Sequence, residues 1–289
     1  HPSYLFVSSV PTTDNEEIYF DPQKGFYRLM SFVSGSNTID TVHSAKQAFE
    51  AARQFGLFTK MLIDFNSAHL KITLPDFHNL SLRHSQFIDS LSSADENKVE
   101  EAVKEIEFLK SHTAIVEQFE LIKDNVDFKI RVTHHDTKIS NALFDSDDNG
   151  LCVIDLDTVM PGYFISDVGD MMRTYLSPVK EEETDFSKIE IRDEYFKAIA
   201  EGYIGVLRGT LTDSEIGHFV YAGKFMIYMQ ALRFLTDYLN NDVYYGAEYE
   251  KHNLVRTGNQ IALLQKLMEK EEHFTDFIRN YMQAKPQKD

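Results

Sequence analysis

The chain has 289 residues, is 43% hydrophobic and holds 22 Phe and 14 Tyr, which supports one large packed core and excludes global disorder. A net charge of −17 argues against nucleic acid and anionic membrane as partners, since both need a basic face. It suits a neutral or cationic small substrate, a nucleotide held through divalent metal, or simple solubility. The one cysteine, Cys152, excludes a disulfide framework and fits a reducing, cytoplasmic setting; it also reads as a small buried strand residue. No apolar run approaches a membrane span and no signal peptide is read at the start, where the first residue is His1.

Residues 4 to 33 read as strands: Tyr4-Leu5-Phe6-Val7, then Glu17-Ile18-Tyr19-Phe20, a turn at Asp21-Pro22-Gln23-Lys24-Gly25, and a returning strand from Phe26 to Val33. Ser34-Gly35-Ser36-Asn37 reads as a linker. From Ile39 the spacing of Val42, Ala45, Phe49, Ala52 and Phe55 predicts helix. Asn97 to Leu121 repeats the pattern, with Val99, Ala102, Val103, Ile106 and Leu109 inside and Glu and Lys between them.

A β segment interrupts at residues 128 to 156. Asn141-Ala142-Leu143-Phe144 and Leu151-Cys152-Val153-Ile154 flank Asp145 to Gly150, and the Asn149-Gly150 step is a hairpin signal. Thr212-Asp213-Ser214-Glu215 is a capping box opening a helical stretch through Leu239, which Asn240-Asn241-Asp242 ends. Glu248 to Lys270 predicts one more helix, and Lys285 to Asp289 a frayed tail.

The chemistry concentrates at His134-His135-Asp136-Thr137-Lys138-Ile139-Ser140-Asn141 and Ile154-Asp155-Leu156-Asp157. Phosphoryl transfer needs a carboxylate to orient the attacking hydroxyl and accept its proton, and oxygen ligands for magnesium. His134-x-Asp136-x-x-x-x-Asn141 keeps the His, Asp and Asn spacing of a kinase catalytic loop, with His135 where Arg is usual. In this reading Asp136 is the base, Asn141 a metal ligand and His134 an orienter of the loop. The hairpin returns Asp155 beside Asn141 as principal metal ligand. Asp157 shares its face if the strand continues, as ligand to a second metal or a metal water. Asp167 either caps the following helix or braces the catalytic loop through backbone N–H groups. Arg173 meets phosphate or pairs with an acid. Two decoys fail on their own terms. Asp145-x-Asp147-x-Asn149-Gly150 starts like a calcium loop, but its twelfth position is Leu156. His134-His135 lacks the further ligands of a zinc site.

On these residues the chain resembles the aminoglycoside phosphotransferase and choline kinase superfamily, and within it is most similar to N-acetylhexosamine 1-kinases. Arg28-Leu29-Met30, Arg131 to Lys138, Val153 to Gly162 and Arg233 to Leu239 carry the likeness. The resemblance implies an α+β, protein-kinase-like fold. Residues 1–33 would be the remnant of a small N-lobe with the hinge, and residues 34–289 a mostly helical C-lobe with catalytic loop and metal-binding hairpin. It implies ATP and Mg2+, with the backbone of Met30, Ser31 and Phe32 offered to adenine. The acceptor would be the anomeric hydroxyl of an N-acetylhexosamine, facing Asp136 and contacted by Arg233 and Tyr244. By spacing alone, Arg233 equally pairs with Asp237 four residues on.

Three rivals remain at this level. An aminoglycoside or choline-type acceptor is favoured by the acidic charge but not by the Arg233 segment. A non-catalytic, pseudokinase-like chain has no chemical need of Asp136, Asn141 and Asp155 together. A sugar-directed sulfatase lacks its C/S-x-P-x-R setting around Cys152. Neither the sugar nor the oligomeric state is set by the sequence. Before Phe32 there is one Lys, Lys24, and one Gly, Gly25, and neither a glycine loop nor a strand lysine for the nucleotide phosphates. The chain is therefore expected to turn over ATP weakly, and a protein extended upstream to restore it; equal activity of the two in a phosphorylation assay overturns this expectation.

Overall fold

The computed structural model describes residues 4–284; the tail expected at Lys285 to Asp289 lies outside the described residues. The chain opens with a hairpin of β1 (Tyr19–Asp21) and β2 (Gly25–Tyr27), followed by helices α1 (Ala45–Met61), α2 (Leu80–Ser93), α3 (Glu96–Glu101), α4 (Val103–Ser111) and α5 (Ala114–Lys123). Strands β3 (Arg131–Thr133), β4 (Ala142–Phe144), β5 (Gly150–Val153) and β6 (Met160–Gly162) come next. The remainder is α6 (Phe164–Tyr175), α7 (Asp193–Leu207), α8 (Asp213–Gly217), α9 (Phe219–Leu239), α10 (His252–Glu269) and α11 (Glu271–Gln283). The architecture is α+β: a helical body carrying antiparallel two-stranded ribbons, β1 with β2, β3 with β6 and β4 with β5.

Helix α9 is apolar on nearly every side and is buried accordingly. It is packed by α6, α10 and α2, while α1 lies along α7. The α6–α9 crossing is close because Gly169 has no side chain. A Cβ there would run into the Ala222 carbonyl and reach Met226 Cβ at 2.8 Å. A second small cluster, Val7, Leu143 and Cys152 with Met30, Val33 and Ile154 against it, sits apart from the main core.

Several expected elements come out differently. Tyr4 to Val7 forms no strand; Tyr4 instead buries its ring and its hydroxyl accepts the Val153 N–H at 3.3 Å. The returning strand shortens to β2, and beyond it Met30 makes only an isolated bridge to Ser9. The supposed linker is pinned, since Asn37 exchanges backbone hydrogen bonds with Phe144 at 2.9 and 3.0 Å. The long helix expected over Asn97 to Leu121 is three helices, broken at Ala102 and at His112-Thr113, and Val103 is 46% exposed rather than core. At the second break the His112 ring nitrogen takes the Phe108 carbonyl, at 2.7 Å. His218 does the same with Ser214 O, at 2.7 Å, where α8 gives way to α9. These rings satisfy carbonyls that the ended helix leaves open. The last predicted helix starts late, at His252, after a left-handed Lys251, and α11 was not anticipated.

The capping box on α8 is present, with Thr212 and Glu215 each bonded to the other's backbone N–H. Glu215 does more: its carboxylate accepts both Arg131 guanidinium nitrogens, at 2.5 and 2.9 Å, and the Lys129 N–H at 3.0 Å. The side chains are 7% and 0% exposed, so this pair ties the start of β3 to α8 inside the protein. Glu215→Ala leaves a buried guanidinium without its counter-charge, and we expect a loss of about 3–5 kcal/mol in urea unfolding. A loss under about 1 kcal/mol would mean that the pair is dispensable.

Candidate active site

The segment from His134 to Thr137 follows β3 and belongs to no regular element, so its buried N–H groups need partners other than a strand or a helix ladder. Helix α6 supplies them. Asp167 accepts the backbone N–H of His134 at 3.1 Å and of His135 at 2.7 Å. Asp170, one turn on, accepts the Thr137 N–H at 2.8 Å. Thr137 Oγ1 donates to the Asp167 carbonyl at 2.8 Å, and the Tyr175 hydroxyl donates to the Thr137 carbonyl at 2.5 Å. Of the two readings open for Asp167, the loop brace is the one realised; the helix cap position is Tyr163.

His134 donates Nε2–H to the Ile154 carbonyl at 3.0 Å, because a carbonyl only accepts. That leaves Nδ1 unprotonated to accept the Asp136 N–H, at 3.4 Å. Burial lowers the pKa of His134, and the edges of Phe55 and Phe58 pack on its ring. His135 stands at φ +68° with its ring over Gly162, where a Cβ would come within 2.5 Å of it. Its Nδ1 meets His78 Nδ1 at 3.3 Å. Burial, then the neighbouring His134, pushes His135 down to about 4, and burial followed by His135 lowers His78 as well.

Asp136 is half-buried. Asn141 Nδ2 donates to its carboxylate and to its carbonyl, at 2.9 Å each, and Lys138 Nζ lies 3.0 Å from Oδ2. Burial alone would lower the Lys138 pKa, but Asp136, Asp155 and Asp170 outweigh it and hold the ammonium above its usual value. With its amide nitrogen committed to Asp136, Asn141 has Oδ1 to offer a cation. The Ile154 N–H bonds the Asn141 carbonyl at 2.9 Å, which sets Asp155 beside Asn141, exposed at the end of β5.

The strand does not continue to Asp157. Asp155 takes a left-handed conformation, φ 62° and ψ 62°, and a 3-10 turn follows at Leu156–Thr158. Asp157 therefore does not share a strand face with Asp155; its carboxylate pairs with Arg28 at 2.7 Å. Arg173 pairs with acids, Asp170 at 3.0 Å and Glu181 at 2.9 Å. Among the described residues no three His, Cys, Asp or Glu side chains are grouped to hold a metal ion. Asp155 and Asn141 Oδ1 are hard oxygen donors, too few for an all-protein cage and suited to magnesium that shares nucleotide phosphates.

Two cavities hold the residues expected to contact nucleotide and acceptor. One, of about 750 Å³, is lined by Met30, Ser31, Phe32, Leu143, Ile154 and Asp155 among others. Ser31 N–H is already committed to Ser8 O at 3.0 Å, and Leu29 O to the Val10 N–H at 2.8 Å. Strand alternation turns the Met30 main-chain groups to the opposite edge. The second, of about 420 Å³, holds Arg233, Tyr244, Tyr245 and Arg83. Arg233 reaches Tyr244 OH at 3.4 Å and Gln230 at 3.2 Å. It makes no pair with Asp237, which instead takes the N–H groups of Tyr244 and Tyr245 at 2.8 Å each. The Phe77 ring lies 5.8 Å from the Arg233 guanidinium and 6.5 Å from the His135 ring, so this ring stands between Arg233 and the loop, while no loop residue lines the cavity itself.

The sequence reading missed Asp170, Lys138 and Arg83. Asp170 is i+3 from Asp167 on one helix face, a spacing that offers both carboxylates to one loop. Lys138 stands two residues after Asp136 and could have been weighed with it. Arg83 carries no local signal; only the packing of α2 on α9 brings it in.

Residues 10–208 match the family model APH, described as phosphotransferase enzyme family. The structure is similar to an aminoglycoside phosphotransferase from Alicyclobacillus acidocaldarius, TM-score 0.61 and 12% identity over 97% of this chain and 79% of that one. It is similar also to a choline/ethanolamine kinase family protein from Mesorhizobium loti, TM-score 0.53 and 16% identity over 91% and 78%. A choline kinase from Cryptosporidium parvum gives TM-score 0.52 and 14% identity over 92% and 77%. These likenesses show a shared protein-kinase-like fold.

Burial pushes Asp167 up to about 7 against the two N–H bonds that favour its carboxylate. A carboxyl raised in the folded state binds more protons there than when unfolded. Its contribution to stability is full below about pH 4 and is lost as pH rises towards 7. The unfolding free energy of the wild type should therefore fall relative to Asp167→Asn between about pH 5 and 7.5. Parallel pH curves for the two proteins would show that Asp167 stays ionised throughout.

Proposed function

We propose, from the premise that this chain belongs to the phosphotransferase enzyme family, that it is a kinase transferring the γ-phosphate of ATP to the anomeric hydroxyl of an N-acetylhexosamine in the cytoplasm. The observation that carries the reading is the position of Asp136, held by Asn141 and Lys138, with the cavity at Met30 to Phe32 reaching Asp155 and with Phe77 standing between the loop and Arg233.

In this reading residues up to 33 supply the hinge side and the helical part from 34 onward the catalytic and acceptor side. Met30 offers its main-chain groups to the base, while Ser31 and Phe32 wall the same cavity. Asp136 orients the sugar hydroxyl and takes its proton as the new O–P bond forms and the bond to the leaving ADP breaks. Lys138 places a positive charge beside the transferring group. Asn141 and Asp155 are the magnesium ligands, and bound magnesium neutralises phosphate charge. Asp157 serves this site through its pair with Arg28 or through a metal water. His134 and Asp167 fix the loop, and Arg173 fixes Asp170. Arg and Tyr donate to ring hydroxyls and an acetamido oxygen, the use proposed for Arg233 and Tyr244. An aminoglycoside or choline-type acceptor is the second reading, supported by the net charge of −17.

Sugar 1-phosphate formation from ATP, magnesium and a panel of sugars tests this directly. Asp136→Asn keeps the size and a hydrogen-bond acceptor but cannot take the proton, and should lower kcat by about 10²–10⁴-fold. Unchanged turnover removes Asp136 as the base.

A further inference from the structure

A third cavity, of about 380 Å³, lies between the loop that carries Asp136 and α10. Lys138, Ile139 and Ser140 line it from the loop, and Asn259, Gln260 and Leu263 from the helix. Neither the cavity at Met30 nor the one at Arg233 includes these loop residues. Lys138 Nζ lies 3.0 Å from Asp136 Oδ2, so a single side chain joins this cavity to the proposed base. Its charged groups are evenly matched: Lys138, Arg173 and Lys180 stand against Asp40, Glu181 and Glu182, and Arg173 is paired with Glu181 at 2.9 Å. Such a lining favours neither sign and suits a neutral polar ligand.

Gln260 narrows the choice of ligand. It is 2% exposed, and its Oε1 is buried with no hydrogen-bond partner among the described residues. The neighbouring amide fixes which way round it stands. Asn259 Nδ2 donates to the carbonyls of Lys180 and Glu183, at 3.1 and 3.2 Å, which leaves Asn259 Oδ1 to accept. Gln260 Nε2 donates to that oxygen at 3.2 Å. Turning the Gln260 amide over would set two oxygens against one another. The group left over is therefore an acceptor, in the lining of a cavity that reaches the catalytic loop, and a buried acceptor without a donor is unfavourable.

We infer that Gln260 is a hydroxyl-reading residue of the acceptor site: its Oε1 accepts one hydroxyl of a neutral polyhydroxyl acceptor lying between Asp136 and α10. This deepens the proposed function and rests on it. A sugar hydroxyl can donate, which Oε1 needs, and can also accept from the ammonium groups of Lys138 and Lys180. Arg233 and Tyr244 keep the role proposed for them. Glu181 in this lining pairs with Arg256, whose guanidinium lies 5.3 Å from the centre of the Tyr245 ring in the other, so one arginine separates the two cavities.

Calorimetric binding of N-acetylglucosamine and of its 3-, 4- and 6-deoxy analogues reads this contact without turnover. In the wild type, removal of one of these hydroxyls should weaken binding about three- to tenfold. Gln260→Met is close in size but has no such acceptor. It should bind the parent sugar more weakly by a similar factor and no longer distinguish it from that deoxy analogue. Gln260→Glu keeps an oxygen in place and should still distinguish them. A wild type that binds every analogue as tightly as the parent overturns the inference. So does Gln260→Met if it weakens all the sugars alike, since a packing defect leaves the deoxy penalty intact. If Gln260→Met does not fold, the wild-type series and Gln260→Glu decide. Failure of the kinase reading looks different: the deoxy penalty and its loss in Gln260→Met are seen, but no sugar 1-phosphate forms from ATP. Binding of none of these sugars sinks both.

Discussion

The loop that carries Asp136 is held by two carboxylates of α6, Asp167 above all. A buried segment that is neither strand nor helix has to find partners for each N–H, and leaving one unmet costs about 1–3 kcal/mol. Asp167 takes two of them, on His134 and His135. Because His135 is left-handed, both amides can point at one side chain. Asp170 takes a third, and His134 itself the fourth, that of Asp136. The loop is thus a template written on α6, and α6 can come close enough to α9 to be fixed because Gly169 leaves room for the Ala222 carbonyl. A contact in the helical core in this way decides where Asp136 stands.

The loop and the hairpin were legible because their signals are local. The spacing from His134 to Asn141 and the turn between two apolar runs need no tertiary information. The turn still realised itself differently in detail: the left-handed residue is Asp148, with Asp145 accepting the N–H groups of Asp147 and Asn149. Asp157 shows where local reading ends. Nothing in Ile154-Asp155-Leu156-Asp157 says that the second residue turns left-handed, and that single dihedral sends Asp157 to Arg28. The helix breaks at His112 and His218 were hidden for a related reason, since a ring nitrogen capturing a carbonyl four residues back outweighs an unbroken apolar period. Arg83 lies 53 residues before Asp136, on α2, and its place beside Arg233 exists only in the packing.

The charges around α6 form a connected system. Arg173 binds Asp170 and Glu181, and Glu181 also binds Arg256 of α10. Burial works against the Arg173 charge, and Asp170 and Glu181 more than offset it, so its pKa is raised. The Arg256 guanidinium lies 3.8 Å from the centre of the Phe234 ring and 5.3 Å from that of Tyr245. From the loop brace to the wall of the Arg233 cavity there is thus an unbroken series of contacts, Asp170, Arg173, Glu181, Arg256, Tyr245. Removing any one of the buried charges strands its partner. That gives the negative protein a locally balanced interior beneath Asp136.

The two cavities differ in what they are built on. The one at Met30 rests on short irregular segments held over the β4–β5 hairpin by the small cluster of Val7, Leu143 and Cys152. The one at Arg233 is an open cleft between α2 and α9, with Asp89, Asn240 and Tyr244 exposed in its lining. The loop that carries Asp136 is braced by neither, since its partners come from α6. Changes to the α2 and α9 side chains around Arg233 can therefore be made without moving Asp136, Asn141 or Asp155. A fold with that separation can keep its Asp136 loop in place while the cavity at Arg233 changes charge and shape.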